Sequence, residues 1–346
     1  MRYAVSVLPQ GLATEFAAIA HGADPDLGVA ALLMARVAYP ALDSGRYLEH
    51  LDSLGREAQA RMAAAPEPDH AMPPHVDPHV FTRVLALNQF LFVDQGFAGN
   101  DQHYDDPRNS FLNDVLDRRT GIPITLALVY IEVAKRAGLD LEGVNFPGHF
   151  LVRHRGTQGT RYSRDLIIDA HHGGALLSEA MCRDLLSRHL GGESRWDAHL
   201  LAHATKLQML TRMLLNLKRA YVRLYSFEQA RDITELLLAV DPTAATELRD
   251  RGLLAYHLND FASALRDLQS YLEMSKGADL DESERDEQAR IWEHVKTLRK
   301  RVASFNLWSV VGGWGSAARR AAGVREGAHR TVRFVCAGVL RVVTQI

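Results

Sequence analysis

Equivalent residue types recur at an interval of 34 residues in the C-terminal half of the chain, and this interval limits how that half can fold. Phe227 is followed at this distance by Phe261. The same interval separates two more pairs, Ala230 and Ala264, and Leu238 and Leu272. A period of roughly 20 to 50 residues indicates stacked copies of one supersecondary unit. Because each copy needs a neighbour to bury its apolar face, these repeats must pack on further structure.

The N-terminal half changes from helical to strand-like patterns. Apolar residues follow a helical period over 26–62 and 81–95, and 122–137 is an apolar helix that ends at Gly138. Short strand patterns then cover 141–146, 150–155 and 166–169. Since the strands follow the helices in the chain, this half is predicted to be helix-rich α+β with a small antiparallel sheet. The predicted domains are 1–190, an all-α helical region over 197–302, and a basic tail over 303–346.

Composition favours a globular protein of a reducing compartment. The chain is 47% hydrophobic and 24% charged, and its two cysteines, Cys182 and Cys336, are too few for a disulfide framework. Residues 1–12 lack the apolar segment of a secretory signal, and no window approaches the ~20 apolar residues of a membrane helix. We therefore expect a cytoplasmic protein with no transmembrane segment and no cofactor.

The C-terminal tail differs from the rest of the chain in charge. From Arg301 onward there are seven arginines and one glutamate, giving a net charge of +6 against −8 for the remainder. A basic tail of this kind can contact nucleic acid or an anionic membrane, or can be a solvated extension without a partner. The sequence leaves both interpretations open.

The segment that starts at Gly121 resembles the active-site helix of the transglutaminase-like branch of the papain-type fold. In that branch a cysteine lies two residues after a glycine, an alanine follows four residues later and a helix-ending glycine fifteen later. Ala127 and Gly138 match this spacing, which places Pro123 at the position of the cysteine. Proline is tolerated in the first turn of a helix because its missing N–H has no intrahelical partner there. It has, however, no nucleophilic atom.

The same resemblance assigns His149 and Asp169 to the histidine and aspartate of such a site. A thiol nucleophile is activated by a helix N-terminus and by an imidazole that a carboxylate orients. The alternative is a purely structural pair, in which a buried histidine bonds to an aspartate that caps the next turn. Both interpretations remain open at the level of sequence.

Four longer strings surround these positions: YDDPRNSFLNDVL (104–116), RRTGIP (118–123), GVNFPGHFLVR (143–153) and IDAHHGG (168–174). They resemble the bacterial SirB family of transglutaminase-like proteins. The resemblance covers about residues 30–187. Proteins of that family also have a C-terminal tetratricopeptide region, which accounts for 197 to about 302. The 34-residue interval found there is the length of a tetratricopeptide repeat. The resemblance to the SirB family implies that the absence of the cysteine is a trait of that family.

Four further residues are candidates for lining a pocket beside the dyad. Asn113 and Asn145 offer amide groups, Arg119 opens the segment that contains Pro123, and His171 follows Asp169 closely. Two other residues have structural explanations. The hydroxyl of Thr125 belongs to a different helix face from Pro123, and Cys182 is expected to be a core thiol on a helix over 179–186.

Metal binding is the main rival use of the histidines. Candidate ligands are His149, His154, Asp169, His171 and His172. Adjacent histidines in an extended segment point in different directions, and the histidines among these candidates lack helical spacing, so no metal site is predicted.

Two functions follow from these patterns. The first is a non-catalytic module that binds a protein or peptide, with His149 and Asp169 lining an inherited pocket and the tetratricopeptide-like helices contacting partners. The alternative is a cysteine-independent hydrolase or amidase, in which His149 is the general base and Asp169 orients it.

Overall fold

The computed structural model describes residues 8–66, 72–190, 195–277 and 281–311, with side chains as far as 302. The chain forms two compact units, one of them Leu8–Ala220 and the other containing the described residues from 221 onward. Of the predicted basic tail, 303–346, only the backbone of 303–311 lies within the described residues. Within the described residues, no helix is both long enough and apolar enough to cross a membrane.

Four helices open the first unit, and aspartates begin three of them. They are α1 (Leu12–Ala20), α2 (Leu27–Ala35), α3 (Ser44–Ala63) and α4 (Pro78–Asn88). Asp26, Asp43 and Asp77 each accept a hydrogen bond from a backbone N–H of the following first turn, as N-caps do. After α4 the chain continues as a π-helical turn, Gln89–Asp94, which accounts for the helical pattern to residue 95.

The central element of this unit is a buried helix. Helix α5 (Leu112–Arg118) ends at Arg119, which has a left-handed φ of 58°. Two very short parallel strands, β1 (Ala98–Gly99) and β2 (Thr120–Gly121), precede α6 (Pro123–Arg136), whose side chains are buried along almost its whole length. The chain leaves α6 through Gly138, where a φ of 75° suits glycine.

A five-stranded sheet packs beside α6. Its strands are β3 (Glu142–Val144), β4 (Leu151–His154), β5 (Leu166–Asp169), β6 (Ala175–Leu177) and β7 (His203–Ala204). The order is β6-β5-β4-β3-β7, and every neighbouring pair is antiparallel. The predicted helix-rich α+β domain with a small antiparallel sheet is confirmed.

Two helices border the sheet. Helix α7 (Glu179–Leu190) supplies Cys182, Leu185 and Leu186 to an apolar cluster with β3, β4 and β5. Helix α8 (Lys206–Arg223) brings Met209 against Gly143, where a Cβ on the glycine would lie 2.8 Å from the Met209 sulfur. The helical region was predicted to start at residue 197. Because β7 pairs with β3 and α8 follows directly, the sheet-bearing unit extends to Ala220.

The second unit consists of helices whose spacing matches the 34-residue period. Helices α9 (Phe227–Val240), α10 (Ala245–His257), α11 (Phe261–Met274) and α12 (Glu282–Val311) follow one another. Ala230 and Ala264 are completely buried at equivalent positions of α9 and α11. Gly252 of α10 packs on Leu268 of α11, where an added Cβ would come within 2.8 Å. The predicted all-α repeat region is confirmed.

Candidate functional site

His149 and Asp169 form a buried hydrogen-bonded pair in the first unit. His149 lies in the turn before β4, directly after Gly148, which has a left-handed φ of 70°. Asp169 is the last residue of β5, the strand that pairs with β4. Their side chains meet at 2.9 Å between Nε2 and Oδ1, and the residues are only 3% and 2% exposed. The neighbouring strands therefore bring together two residues that are 20 positions apart in the chain.

The Asp169 carboxylate is the centre of a larger network. Its Oδ2 lies 2.8 Å from Nδ1 of His172, and its Oδ1 accepts the backbone N–H groups of His171 at 3.0 Å and His172 at 3.3 Å. Burial alone would raise the pKa of Asp169, but the hydrogen bonds and charges of His149 and His172 outweigh burial and lower it to about 2. The carboxylate is thus ionised, so Nε2 of His149 is the donor and Nδ1 is the remaining basic nitrogen of that ring.

Three more histidines surround His149. Its ring stacks on His172 and His189, each with a centroid separation of 5.7 Å, and meets the ring of His171 edge-on at 5.8 Å. His189 comes from α7, and the backbone of Gly148 lies so close that a Cβ there would be 2.6 Å from the Cβ of His189. Burial lowers the pKa of His189, which favours the neutral form of its imidazole.

His171 occupies a tighter place than its neighbours. Its Nε2 bonds to Oδ1 of Asp101 at 2.8 Å, while Nδ1 is buried and has no hydrogen-bond partner among the described residues. Gly99 lies against the ring, since a Cβ there would be 2.4 Å from a ring carbon. Burial lowers the pKa of His171. An N–H at the unpartnered Nδ1 would be unfavourable, so the proton belongs on Nε2.

The turn that carries His171 and His172 is held by an asparagine of α4. Asn88 donates from Nδ2 to the carbonyl of Gly174 at 2.7 Å and accepts the hydroxyl of Tyr130, also at 2.7 Å. A Cβ on Gly174 would lie 2.2 Å from Oδ1 of Asn88. The site is therefore fixed from β5, from α4 and from the central helix α6, on which Tyr130 lies.

Pro123 and Thr125 lie in the first turn of α6. Pro123 is the first residue of the helix and is buried. Thr125 is fully buried, and its hydroxyl donates to the carbonyl of Asn109 at 2.6 Å and accepts the N–H of Ile122 at 3.1 Å. This hydroxyl is used to fix the helix start, so Thr125 has a structural role here.

Cys182 is the one cysteine in the described part of the chain, and it lies in the core. It has no exposed surface and belongs to the apolar cluster beneath the sheet. Burial, with a smaller contribution from the charge of Asp169, raises the pKa of the thiol to about 11. A buried neutral thiol is inert, in agreement with the structural role expected from the sequence.

A surface cleft of about 350 Å³ opens beside the dyad. Asp169 and His172 form one wall, and α7 forms the other with Met181, Asp184 and Arg188. Met181 is 46% exposed, so the cleft presents an apolar side chain beside both an acidic and a basic group. Solvent and ligands can thus reach the carboxylate network from the His172 side.

The other sequence candidates lie in different surroundings. Arg119 bonds to Oε1 of Gln95 at 2.9 Å and stacks over Phe97, while Asn145 is exposed and bonds to Arg212 of α8. Asn113 is buried in α5, with no partner for its Oδ1 among the described residues. Of the four, the structure brings His171 to the dyad, and the roles of the other three in binding stay predictions.

Two residues around the His149–Asp169 pair, His189 and Asp101, were not predicted from the sequence. His189 follows Cys182 by seven residues on α7, so it shares the helix face of the buried residues, and this periodicity was the available signal. Asp101 lies in a loop, and nothing in the local sequence indicates that it bonds to a histidine 70 positions away.

Three of these side chains could hold a metal ion. His149, Asp169 and His172 each offer a ligand atom, and these atoms lie within 4.8 Å of one another. The sequence offered five candidate ligands, these three together with His154 and His171, and their spacing predicted no metal site. His154 points elsewhere: it lies on β4 near Asp77, Asp140 and Asp165, and burial lowers its pKa.

Known families match both units. A model of the transglutaminase-like superfamily matches residues 45–215, and a tetratricopeptide repeat model matches 217–296. The fold and the site therefore define a transglutaminase-like domain followed by tetratricopeptide repeats. Proteins similar to this chain occur in bacteria and in animals.

A UPF0162 protein of Xylella fastidiosa is 37% identical over 247 residues, 70% of this chain and 82% of the relative. A UPF0162 protein of Pseudomonas aeruginosa is 30% identical over 254 residues, 72% of this chain and 85% of the relative. The human F-box only protein 21 is 34% identical over 180 residues, half of this chain and 28% of that protein. The chain belongs to the UPF0162 family.

Proposed function

We propose that the chain is a non-catalytic transglutaminase-like module that binds a protein or peptide. The observation that carries this proposal is the contrast between an ordered His149–Asp169 pair, at 2.9 Å, and an α6 N-terminus that begins with Pro123. The hydroxyl of Thr125 is hydrogen-bonded at the start of α6, and the thiol of Cys182 is buried in the apolar core, so both groups have structural roles. The similarity to the SirB family supports the view that proline in place of the cysteine, as at Pro123, is a common trait of that family.

The cleft beside Asp169 is the proposed binding surface of the first unit. It offers hydrogen-bonding groups of His172, an exposed apolar side chain, Met181, and the charge of Arg188. Clefts that combine apolar lining with a few polar groups are the usual form of ligand sites. The repeat helices supply a second surface for partners, since stacked helical hairpins present extended binding faces. A cytoplasmic location, inferred from the cysteine content, is part of this proposal.

A peptide selection tests binding at the cleft. A displayed peptide library is selected on the full chain, and the enriched peptides are measured by fluorescence anisotropy against the wild type and Met181→Asp. We expect the exposed substitution to leave the fold intact and to weaken binding at least tenfold, because it adds a charge to the apolar part of the cleft. Equal affinity for both proteins would reject the cleft as the binding surface.

Thiol labelling tests the absence of a reactive nucleophile. In a Cys336→Ser background, we expect Cys182 to stay unmodified by iodoacetamide at pH 8 in the native protein, because its thiol is buried and neutral. The same residue should react fully in urea, which provides the control. Mass spectrometry measures both. Native labelling that disappears in His149→Ala would show an activated thiol and would overturn the proposal.

The second candidate is a hydrolase or amidase that needs no cysteine. The favouring observation is the orientation of His149: the ionised Asp169 binds Nε2, so Nδ1 remains as the basic nitrogen that can take a proton from water. Turnover of peptide anilides that is lost in both His149→Ala and Asp169→Asn would support this candidate. No turnover supports the binding module, and turnover that His149→Ala does not change rejects the hydrolase.

A further inference from the structure

We propose that His149, Asp169 and His172 bind one divalent transition-metal ion, with Zn²⁺ as the best match to the ligand types. Two imidazole nitrogens and a carboxylate are a common protein ligand set for zinc and for other first-row metals. This inference does not depend on the proposed peptide binding, because it concerns a different ligand.

The three side chains offer ligand atoms that lie close together. Nε2 of His149 and Nδ1 of His172 approach the two oxygens of the same carboxylate at 2.9 and 2.8 Å, and all ligand atoms lie within 4.8 Å of one another. Around a tetrahedral Zn²⁺ with bonds of about 2.0–2.1 Å, neighbouring ligand atoms are about 3.3 Å apart. The two hydrogen-bonded contacts must therefore lengthen by about half an ångström, and the two histidine nitrogens must come closer together. Each of these nitrogens must also lose the proton that it now shares with Asp169, which metal binding releases to solvent or to the other ring nitrogen.

His172 is the ligand that can make this adjustment. Its side chain is 55% exposed, whereas those of His149 and Asp169 are 4% and 3% exposed. It lies at the end of a single 3-10 turn, Ala170–His172, and is followed by two glycines with left-handed φ. Rotation of this exposed ring would thus supply most of the adjustment, and the buried His149–Asp169 contact would only have to lengthen slightly.

The surroundings fix the orientation of the Asp169 carboxylate. The backbone N–H groups of His171 and His172 bond to Oδ1 of Asp169, and His171 is itself fixed by Asp101 at 2.8 Å. Outer hydrogen bonds of this kind orient metal ligands. The cleft lined by Asp169 and His172 gives an ion access from solvent and leaves room for a water or a ligand group in the fourth position.

Titration of the untagged full chain with Co²⁺ and Zn²⁺, after treatment with a chelator, tests the site. Visible absorption of Co²⁺ reports a low-coordinate site, and calorimetry with Zn²⁺ gives the stoichiometry. We expect one ion per chain and a loss of affinity of at least tenfold in His172→Ala, with a similar loss in Asp169→Asn. His172→Ala alters an exposed side chain, so it should not disturb folding, and circular dichroism checks this.

The matched control is His79→Ala, because His79 is an exposed histidine outside the cluster. It should bind both ions as the wild type does. If the wild type binds neither ion, the three residues form a hydrogen-bonded network only. If binding persists unchanged in His172→Ala and Asp169→Asn, the ion sits elsewhere. Either result overturns the proposal.

Discussion

At the scale of single residues, Asp169 stabilises the site more than any other side chain in it, because it accepts four hydrogen bonds at two oxygens. Asp169→Asn keeps the shape but places an amide N–H₂ group opposite donors. We expect unfolding in urea to show a loss of about 3 kcal/mol, as for other buried pairs that lose one partner.

Asp184→Asn is the control for this change. Asp184 lines the same cleft but is exposed, so its substitution should alter stability by less than about 0.5 kcal/mol. An equal effect of the two substitutions would mean that the cleft as a whole, and not the buried network, determines stability.

Substitutions at two adjacent glycines can distinguish backbone strain from steric conflict in the turn that carries His171 and His172. Gly173 and Gly174 have φ values of 67° and 76°, but an added Cβ meets nothing at Gly173 and lies 2.2 Å from Oδ1 of Asn88 at Gly174. Gly173→Ala should lower stability by about 1 kcal/mol, the cost of a left-handed residue.

Gly174→Ala should lower stability by about 1–3 kcal/mol more than Gly173→Ala, because Asn88 must also move. Displacement of Asn88 would loosen the turn, so the side-chain NMR signals of His171 and His172 should shift in Gly174→Ala and stay in place in Gly173→Ala. Equal stability of the two variants would contradict the contact with Asn88.

Sequence reasoning predicted the residues of the site unevenly, for physical reasons. His149 and Asp169 were assigned through the resemblance to transglutaminase-like proteins, and the structure brings them together because they lie beside neighbouring antiparallel strands. Asp101 and Asn88 contact the histidine turn from a loop and from a distant helix. Those contacts arise from tertiary packing, which leaves no local signal in the chain. Arg119 was selected for its position near Pro123, yet its left-handed conformation directs it to Gln95 and Phe97.

At the scale of elements, the 34-residue period was the most reliable predictor, because buried alanines and glycines must recur wherever helices of a repeat approach closely. The period did not reveal the ionic contacts between the helices. Arg251 of α10 bonds to Asp267 of α11 at 2.7 Å and to Glu235 of α9 at 2.8 Å. One arginine thus connects three successive helices of the repeat region.

Arg251→Met tests that connection. The substitution keeps the apolar stem but leaves the carboxylate of Asp267, whose side chain is 3% exposed, without its main partner. The transition of the repeat unit in urea should lose about 3 kcal/mol. Arg266→Met is the control, since Arg266 also lies near Asp267, at 3.5 Å, but is 68% exposed. It should change stability by less than about 1 kcal/mol, and a similar loss in both variants would refute the role given to Arg251.

At the scale of the whole molecule, the sheet-bearing unit reaches further along the chain than the sequence pattern indicated. The sequence pattern of residues 197–220 predicts helix and assigns them to the repeat region. In the structure, however, β7 of this segment pairs with β3 at the edge of the sheet. Further contacts come from Arg153, which bonds to the carbonyl of Leu201 at 2.9 Å, and from Met209, which packs near Gly143. A two-residue strand gives almost no sequence signal, so the boundary depends on pairing that local patterns do not contain.

Two fragments test where this unit ends. A fragment of residues 8–220 should fold with a cooperative urea transition, because it retains β7 and most of α8. A fragment of residues 8–196 loses the partner of β3 and the cover over Gly143, and its apolar cluster also loses Leu200 and Leu201. Each buried Leu or Met contributes about 1.5–3 kcal/mol, and whole domains are stable by only about 5–15 kcal/mol. The shorter fragment should therefore lack a cooperative transition and dispersed amide NMR signals. Equal stability of the two fragments would place the end of the unit before residue 197 and would make α8 part of the repeat region.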